Sequence, residues 1–426
     1  VLISRVNLLS PTDVITIPAP ATGLLVISTN TNNLQMPDGV GFYVWTGAVW
    51  TKLLMKENGS ATSGWTTTGN TGTNATNNFL GTIDNKPLTF KINDGLAGKL
   101  DTDGSVSYGK GTLYNNLAGK ISVAIGDSAL YNNAKGGALS FRATENTAVG
   151  YRALYANILG HSNTGVGYSS LTANIEGAEN TAIGTRSLYS NNYGSSNTAN
   201  GYNALYSNTG GSYNTAIGPS SLFTNSTGTK NIAIGVGALF TNTTGSANIA
   251  VGTGALGLNF NGRSGLVAIG DSAMYNNAKT VGLNYTATEN TAVGYRAMYA
   301  NIDGYYNTAV GYRSLTANTF GYYNTALGDR SLQGNTTGTR NTAVGYISLS
   351  ANSTGFNNTA VGIGTLYLNS TGSNNTAVGT ETLLDNTTGT NNVAVGAGSL
   401  ADNTTGSANV AVGTGALGLN FNGRSG

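Results

Sequence analysis

The stretch NTAVGYRALYANILG, residues 146–160, decides the fold, because the chain repeats it from about residue 122 to its end. Tracking its first glycine gives seventeen copies, from Gly126, Gly150, Gly167 and Gly184 to Gly413. Sixteen intervals separate them: thirteen of 17 residues, one of 18, and two of 24 that carry a seven-residue insertion after Gly126 and Gly270. Two residues before the glycine stands Ala, except at Gly165, and one before stands Val, Ile or Leu, except at Asn200. Four after stands Leu, replaced only by Met274 and Met298, and seven after stands Asn in every copy. A fixed period of this length marks a solenoid or array.

A longer duplication overlies the short one. VAIGDSALYNNAK (123–135) returns at 267–279 with one Leu-to-Met change, and residues 245–265 return at 406–426 with one Ile-to-Val change. The repeats therefore fall into block 1, residues 122–265 with eight units, and block 2, residues 266–426 with nine.

The unit is too short for a helical hairpin and too rich in Gly and Asn to be helical. Thr-Ala-Val/Ile reads as a short strand, and the Ala/Ser-Leu-x after the glycine suggests a second. Asn-Thr-Thr-Gly is turn chemistry, in which Asn bonds its own backbone and Gly supplies positive φ. The predicted fold class is all-β: a 17-residue-repeat parallel β-solenoid or β-roll, expected as a homotrimeric fibre and preceded by a small β module. Seventeen coils at ~4.8 Å each would build a stack on the order of 80 Å.

An identical Asn in each coil predicts a ladder of side-chain amides through Asn133, Asn157, Asn174, Asn191 and Asn208. Leu154, Leu171 and Leu188 are assigned to a parallel structural ladder. Neighbouring strand residues face opposite ways. Val/Ile is read as core, and the neighbouring Ala, held small in sixteen copies, as an outward position packed against another chain.

These residues support a resemblance. NTAVG, and SVAIG at 122–126, resemble the head repeat of YadA-like trimeric autotransporter adhesins, which implies a left-handed parallel β-roll of three chains about one axis. The family repeat is shorter, near 14–15 residues, and the extra residues here sit in the Asn-Thr-Thr-Gly turn. TGLLVISTN (22–30), GFYVWTGAVWTKL (41–53) and residues 78–93 resemble stretches of long bacterial surface fibres and phage-type tail fibres.

Ahead of the repeats the composition shifts. All three Trp (Trp45, Trp50, Trp65) and five of the six Pro lie before residue 88. Residues 1–56 are read as a small N-terminal β module with a hairpin near Thr46-Gly47, 57–77 as a polar low-complexity linker, and 78–121 as a transitional β segment capping the roll. A solenoid end is an open strand edge and needs such a cap. The sequence starts at Val1, shows no signal peptide, and breaks off inside a repeat, so it is expected to be a segment of something longer.

Composition excludes much chemistry. Twenty Lys+Arg against 18 Asp+Glu leave a net charge of +2, with only 9% of residues charged, which is no electrostatic footprint for nucleic acid. The chain has no Cys and one His, His161, so thiolate, disulfide and multi-His chemistry are absent. No apolar run is long enough for a membrane helix, so no membrane insertion is expected in this segment. GTGALG (252–257) fits a nucleotide fingerprint but is one phase of the repeat and lacks the βαβ context. Asp127, Asp271 and Asp329 follow the marker glycine in too few copies for a calcium repeat. The expectation is no catalytic residue, no cofactor and no metal.

What remains is surface. Tyr151, Tyr168, Tyr202, Tyr295, Tyr312 and Tyr346 directly follow the marker glycine and predict an aromatic ladder more than a glycan site. The two insertions interrupt a uniform scaffold, and such loops carry recognition. Their candidate residues are Lys135, Phe141, Arg142 and Glu145, with Lys279, Tyr285 and Glu289 in block 2. The expected function is a non-enzymatic segment of a long extracellular trimeric fibre, an adhesin or tail-fibre-like appendage of a cell, phage or injection system. Its partners would be itself, as a homotrimer, and a surface receptor or glycan. The alternative is an ice- or surface-binding solenoid built on Thr rows such as Thr147, Thr181 and Thr215. An enzyme on a β-helix scaffold would need a cleft of clustered charges, which the sequence lacks.

Overall fold

The computed structural model describes residues 3–32, 36, 39–53, 80–116, 120–135, 143–277 and 287–419. The chain divides into two compact units, Val1–Gly81 and Thr82–Gly426. The expected linker at 57–77 lies outside the described residues.

The first unit is a four-stranded sheet: β1 (Arg5–Val6), β2 (Leu25–Ser28), β3 (Gly41–Trp45) and β4 (Trp50–Lys52). β1 lies parallel to β2, and β2–β3 and β3–β4 are antiparallel. The β3–β4 hairpin turns at 46–49, as Thr46-Gly47 predicts. Leu8, Val26, Met36, Tyr43, Trp45 and Trp50 form its core. Trp45 and Trp50 pair across the hairpin with ring centroids 5.2 Å apart. The Trp50 Nε1–H finds the Asp13 carbonyl at 2.7 Å, as a buried indole requires.

The second unit opens with the antiparallel strands β5 (Leu88–Ile92), β6 (Gly95–Leu100) and β7 (Val106–Tyr108). Seventeen three-residue strands follow, β8 (Val123–Ile125) to β24 (Val410–Val412). They pair in chain order, each parallel to the next and in register: Thr164↔Thr181↔Thr198, Gly165↔Ala182↔Ala199. This is a parallel β-solenoid with one strand per coil.

The second predicted strand is absent among the described residues. Each coil's Ala/Ser-Leu segment is a tight turn, with Leu154, Leu171 and Leu188 at φ of 49–52°. Backbone bonds still run from coil to coil there, as from Leu188 N–H to the Ala204 carbonyl (2.9 Å). The segment is hydrogen-bonded like a strand but left-handed in backbone, a conformation leucine adopts only when neighbours over-determine it. The marker glycine is required on two grounds. At Gly184 φ is +122°, and a Cβ would sit 2.7 Å from the Gly201 carbonyl oxygen of the next coil.

The structure reverses the facing of the strand. Ala182, Ala199, Ala216 and their equivalents are fully buried in one continuous core with Leu188, Leu205 and Leu222. The Val/Ile neighbours point outward, Ile183 being 41% exposed. Alternation dictates that the two residues oppose each other, not which is inside. A 17-residue coil has a narrow interior, already holding leucine from the facing wall and two asparagines. Only a methyl group fits beside them. The Ala column is therefore no contact with a second chain.

Two asparagine columns complete the interior. In one, Asn191 Nδ2 donates to Asn174 Oδ1 and to the Gly194 carbonyl, both at 2.8 Å, and its Oδ1 accepts from Asn208 Nδ2 at 2.7 Å. Asn133, Asn157, Asn174 and Asn208 share this column. The second column is the Asn of N-T-A-V-G. Asn180 Oδ1 accepts both the backbone N–H (3.0 Å) and Nδ2 (3.1 Å) of Asn197, and Asn180 Nδ2 donates to the Gly194 carbonyl.

Replacing Asn191 by Ala strands the Asn174 acceptor and one Asn208 donor in a dry interior, while the Gly194 carbonyl keeps its bond from Asn180. Each orphaned group costs about 1–3 kcal/mol, so a clear fall in the guanidinium midpoint, followed by circular dichroism, is expected; an unchanged midpoint counts against the ladder. The reversed facing has its own test. Ala216→Glu should abolish the folded signal, because it buries a lone carboxylate, whereas Ile217→Glu should keep it; the opposite ranking would restore the outward Ala.

Candidate functional site

Because every coil spends the same positions on its interior, variation is concentrated in outward columns. Aromatic rings occupy three of them. In the column following the marker glycine, Tyr151–Tyr168 and Tyr295–Tyr312 stack at 5.3 and 5.4 Å. Tyr202 and Tyr346 stand outside these pairs, since Thr185 and Pro219 flank the first and Asp329 and Ile363 the second at ±17.

The sequence reading missed two further columns. The residue after each leucine, or after its replacements Met274 and Met298, supplies Tyr114–Tyr131–Tyr155, Tyr275–Tyr299, and the four-ring run Tyr189–Tyr206–Phe223–Phe240, all with centroids 5.1–5.7 Å apart. The recurrence of Leu-Tyr and Leu-Phe at intervals of 17 was the available signal. Arginines cover some rings: Arg152 lies 4.4 Å above Tyr155, and Arg296 lies 5.1 Å from Tyr299.

The third column lies in the turn just before the strand. Tyr305 stacks on Tyr322 at 4.9 Å and Tyr306 on Tyr323 at 5.2 Å, each pair parallel within 5°. The planes of the two stacks are inclined by 73–77°. Glu289 precedes Tyr306 and Arg340 follows Tyr323 by 17 residues, one coil on either side. The Tyr306 hydroxyl donates to the Glu289 carboxylate, and this bond and charge hold the phenol above its ordinary value. Burial, then the neighbouring Tyr322 and Tyr323, raise Tyr305. Asp303 reaches the buried Arg263 at 3.5 Å.

An open cleft of about 980 Å³ lies where β5–β7 meet the first coils. Its lining includes Lys99, Asp101, Lys110, Tyr114, Asp127 and Tyr131. Lys99 pairs with Asp101, and the Lys110 backbone N–H donates to Asp127 (2.8 Å). Both carboxylates of this lining are thus engaged, Asp101 by Lys99 and Asp127 by a backbone N–H.

The insertion candidates are described only in part. Lys135 and Glu145 of block 1, and Glu289 of block 2, are described; Phe141, Arg142, Lys279 and Tyr285 lie outside the described residues. Glu145 accepts a bond from the Ser162 hydroxyl (3.2 Å), as Glu289 does from Tyr306 one block later. His161 Nδ1 lies 3.3 Å from the Ser162 hydroxyl. Among the described residues no three His, Asp or Glu side chains gather to hold a metal, and no helix is long and apolar enough to cross a membrane.

The strand face is the other continuous feature. Its outward positions are Thr, or Ile and Val, in the first column and mostly Val or Ile in the third, with no charged residue from Val123 to Val412. Exposed apolar stripes of this extent mark interaction surfaces.

Comparison with known proteins adds one finding. The family described as phage tail like trimerisation region matches residues 1–73. No curated protein and no solved structure matches the chain. The match supports self-association as a trimer and, with the solenoid, fits a structural fibre of the phage-tail type.

Replacing Glu289 with Gln removes the anion that opposes ionisation of Tyr306. The Tyr306 phenol should then titrate at lower pH, nearer its ordinary value of about 10, read as a difference in ultraviolet absorbance between the two proteins. Superimposable titrations would mean that Glu289 does not contact the phenol.

Proposed function

We propose that this chain is a segment of a long trimeric fibre, of the adhesin or tail-fibre kind, that gives reach and multivalent attachment to a cell or glycan surface. One observation carries the reading: a segment of the trimerisation type precedes, in the same chain, a solenoid whose interior closes with its own residues. Stiffness follows from the construction, since every coil is tied to the next by backbone bonds and two asparagine columns. Three chains held together present each outward feature three times. Weak contacts then multiply by effective concentration, without any single strong site. The sparse charge and the absence of a reactive constellation among the described residues favour a structural role over a catalytic one. The setting that suits it is outside the cell, as a fibre or phage-type appendage.

A second reading has its own observation. The outward threonines stand in unbroken register over Thr291, Thr308, Thr325, Thr342, Thr359 and Thr376, a flat Thr/Val lattice of the kind that could bind ice or another ordered surface. Ile232, Ile249 and Val393 interrupt the row elsewhere. Both readings claim the same face.

Light scattering separates them. The fibre reading expects a mass about three times the 43.3 kDa monomer, with no thermal hysteresis. A monomer that depresses the freezing point would replace it with the surface-binding reading.

A further inference from the structure

The two repeat blocks are close copies, so the positions where they part are informative. Residues 144–180 and 288–324 occupy equivalent coils and differ at ten positions. Seven of the ten fall in two five-residue turns, 158–162 and 175–179 in block 1 against 302–306 and 319–323 in block 2. Block 1 has Leu159, His161, Ser162, Ile175, Glu176, Ala178 and Glu179 there; block 2 has Asp303, Tyr305, Tyr306, Thr319, Phe320, Tyr322 and Tyr323. The interior asparagines that frame them, Asn157, Asn163 and Asn174 against Asn301, Asn307 and Asn318, are unchanged. The asparagine scaffold is common to both blocks, and block 2 carries an aromatic surface on it.

That surface does not serve the core. Tyr306, Tyr323 and Phe320 are 46, 49 and 45% exposed. It lies in the turn before β18 (Thr308–Val310) and β19 (Thr325–Leu327), not on the strand face that runs the whole stack. A contact between copies along the stack would recur in every coil, whereas this patch spans two. Its occupant is therefore small, a few ångströms per coil, and meets four phenol rings set in two inclined planes. Centroids 4.9–5.2 Å apart place parallel rings in offset rather than face-to-face contact, so part of each ring face stays uncovered. Charged groups of both signs bound the patch, Glu289 and Asp303 on one side and Arg340 on the other. Uncovered aromatic faces suit the axial C–H face of a pyranose ring. Phenol hydroxyls, carboxylates and a guanidinium at the rim suit its hydroxyl groups.

We propose that Tyr305, Tyr306, Tyr322 and Tyr323, with Glu289 and Arg340 at their ends, form a carbohydrate-binding site for one or two pyranose residues of a surface glycan. It rests on the fibre reading for its avidity, since one such site per chain becomes three per fibre.

Block 1 supplies the test variant, because its residues already fit the same coils. In the full 1–426 chain, Y305H/Y306S/Y322A/Y323E rebuilds the block 1 turns in block 2. The reciprocal H161Y/S162Y/A178Y/E179Y installs a second patch. The probe is an immobilised panel of neutral and acidic oligosaccharides with bacterial lipopolysaccharide, read by interferometry, with light scattering on the same samples. The wild-type chain is expected to bind at least one glycan. The first variant should lose about tenfold or more in affinity at unchanged mass and circular dichroism, and the second should bind more tightly than wild type. A wild-type trimer that binds nothing on the panel, or a first variant that binds as well as wild type, overturns the site and leaves the fibre standing. A first variant whose mass falls identifies the patch as a contact between copies, which also overturns it. A monomeric wild type that still binds in a tyrosine-dependent way sinks the fibre reading alone.

Discussion

Each coil of the solenoid must close around an interior too narrow for water, yet its turns bring polar backbone groups inward. The asparagine columns resolve this conflict. An amide is at once donor and acceptor, so a column of identical amides satisfies itself along its length and spends its spare donor on a turn carbonyl, as Asn191 does with Gly194. Nothing else of that size does both. A buried Asn without its neighbour above would be costly, so stacking in register is enforced by the same groups that close the turn. The glycines follow from this, because stacked backbones leave no room for a Cβ at Gly184.

The same constraint sorts the surface. Inward columns of Ala, Leu and Asn vary little, as at Gly165, Met274 and Met298, because larger changes orphan a neighbour or overfill the core. Outward columns touch their equivalents one coil away and near neighbours on the surface, so a change there is local. Aromatic residues placed in such a column meet another ring at the coil spacing and stack, as from Tyr189 to Phe240. Features therefore come as short runs of two to four coils on an unvarying rod. In the quartet from Tyr305 to Tyr323 two adjacent stacks fill the same two coils.

The period, the parallel stacking and the first asparagine column were legible because identity at fixed spacing has one physical meaning in a solenoid. The second column was equally visible in N-T-A-V-G, where Asn recurs with the glycine, but its role depends on a bond to the next coil's backbone that no spacing reveals. The Leu-Tyr and Leu-Phe recurrences were visible too and went unread. Two readings failed on geometry. Ala-Leu looks like a strand by composition, yet Leu188 takes a left-handed backbone. Ala looked outward because core positions are usually large; here the core is thin.

The sequence by itself determined how many coils there are, where they are interrupted, and that they stack in parallel register, because periodicity is a one-dimensional property. It also determined that thiol chemistry is absent, because the chain has no Cys. Only the tertiary structure decided which side of the strand is inside and which distant turns share a patch. Facing depends on the width of the closed coil, and adjacency of Tyr305, Tyr306, Tyr322 and Tyr323 depends on the rise between coils. Both are set by how the chain packs upon itself.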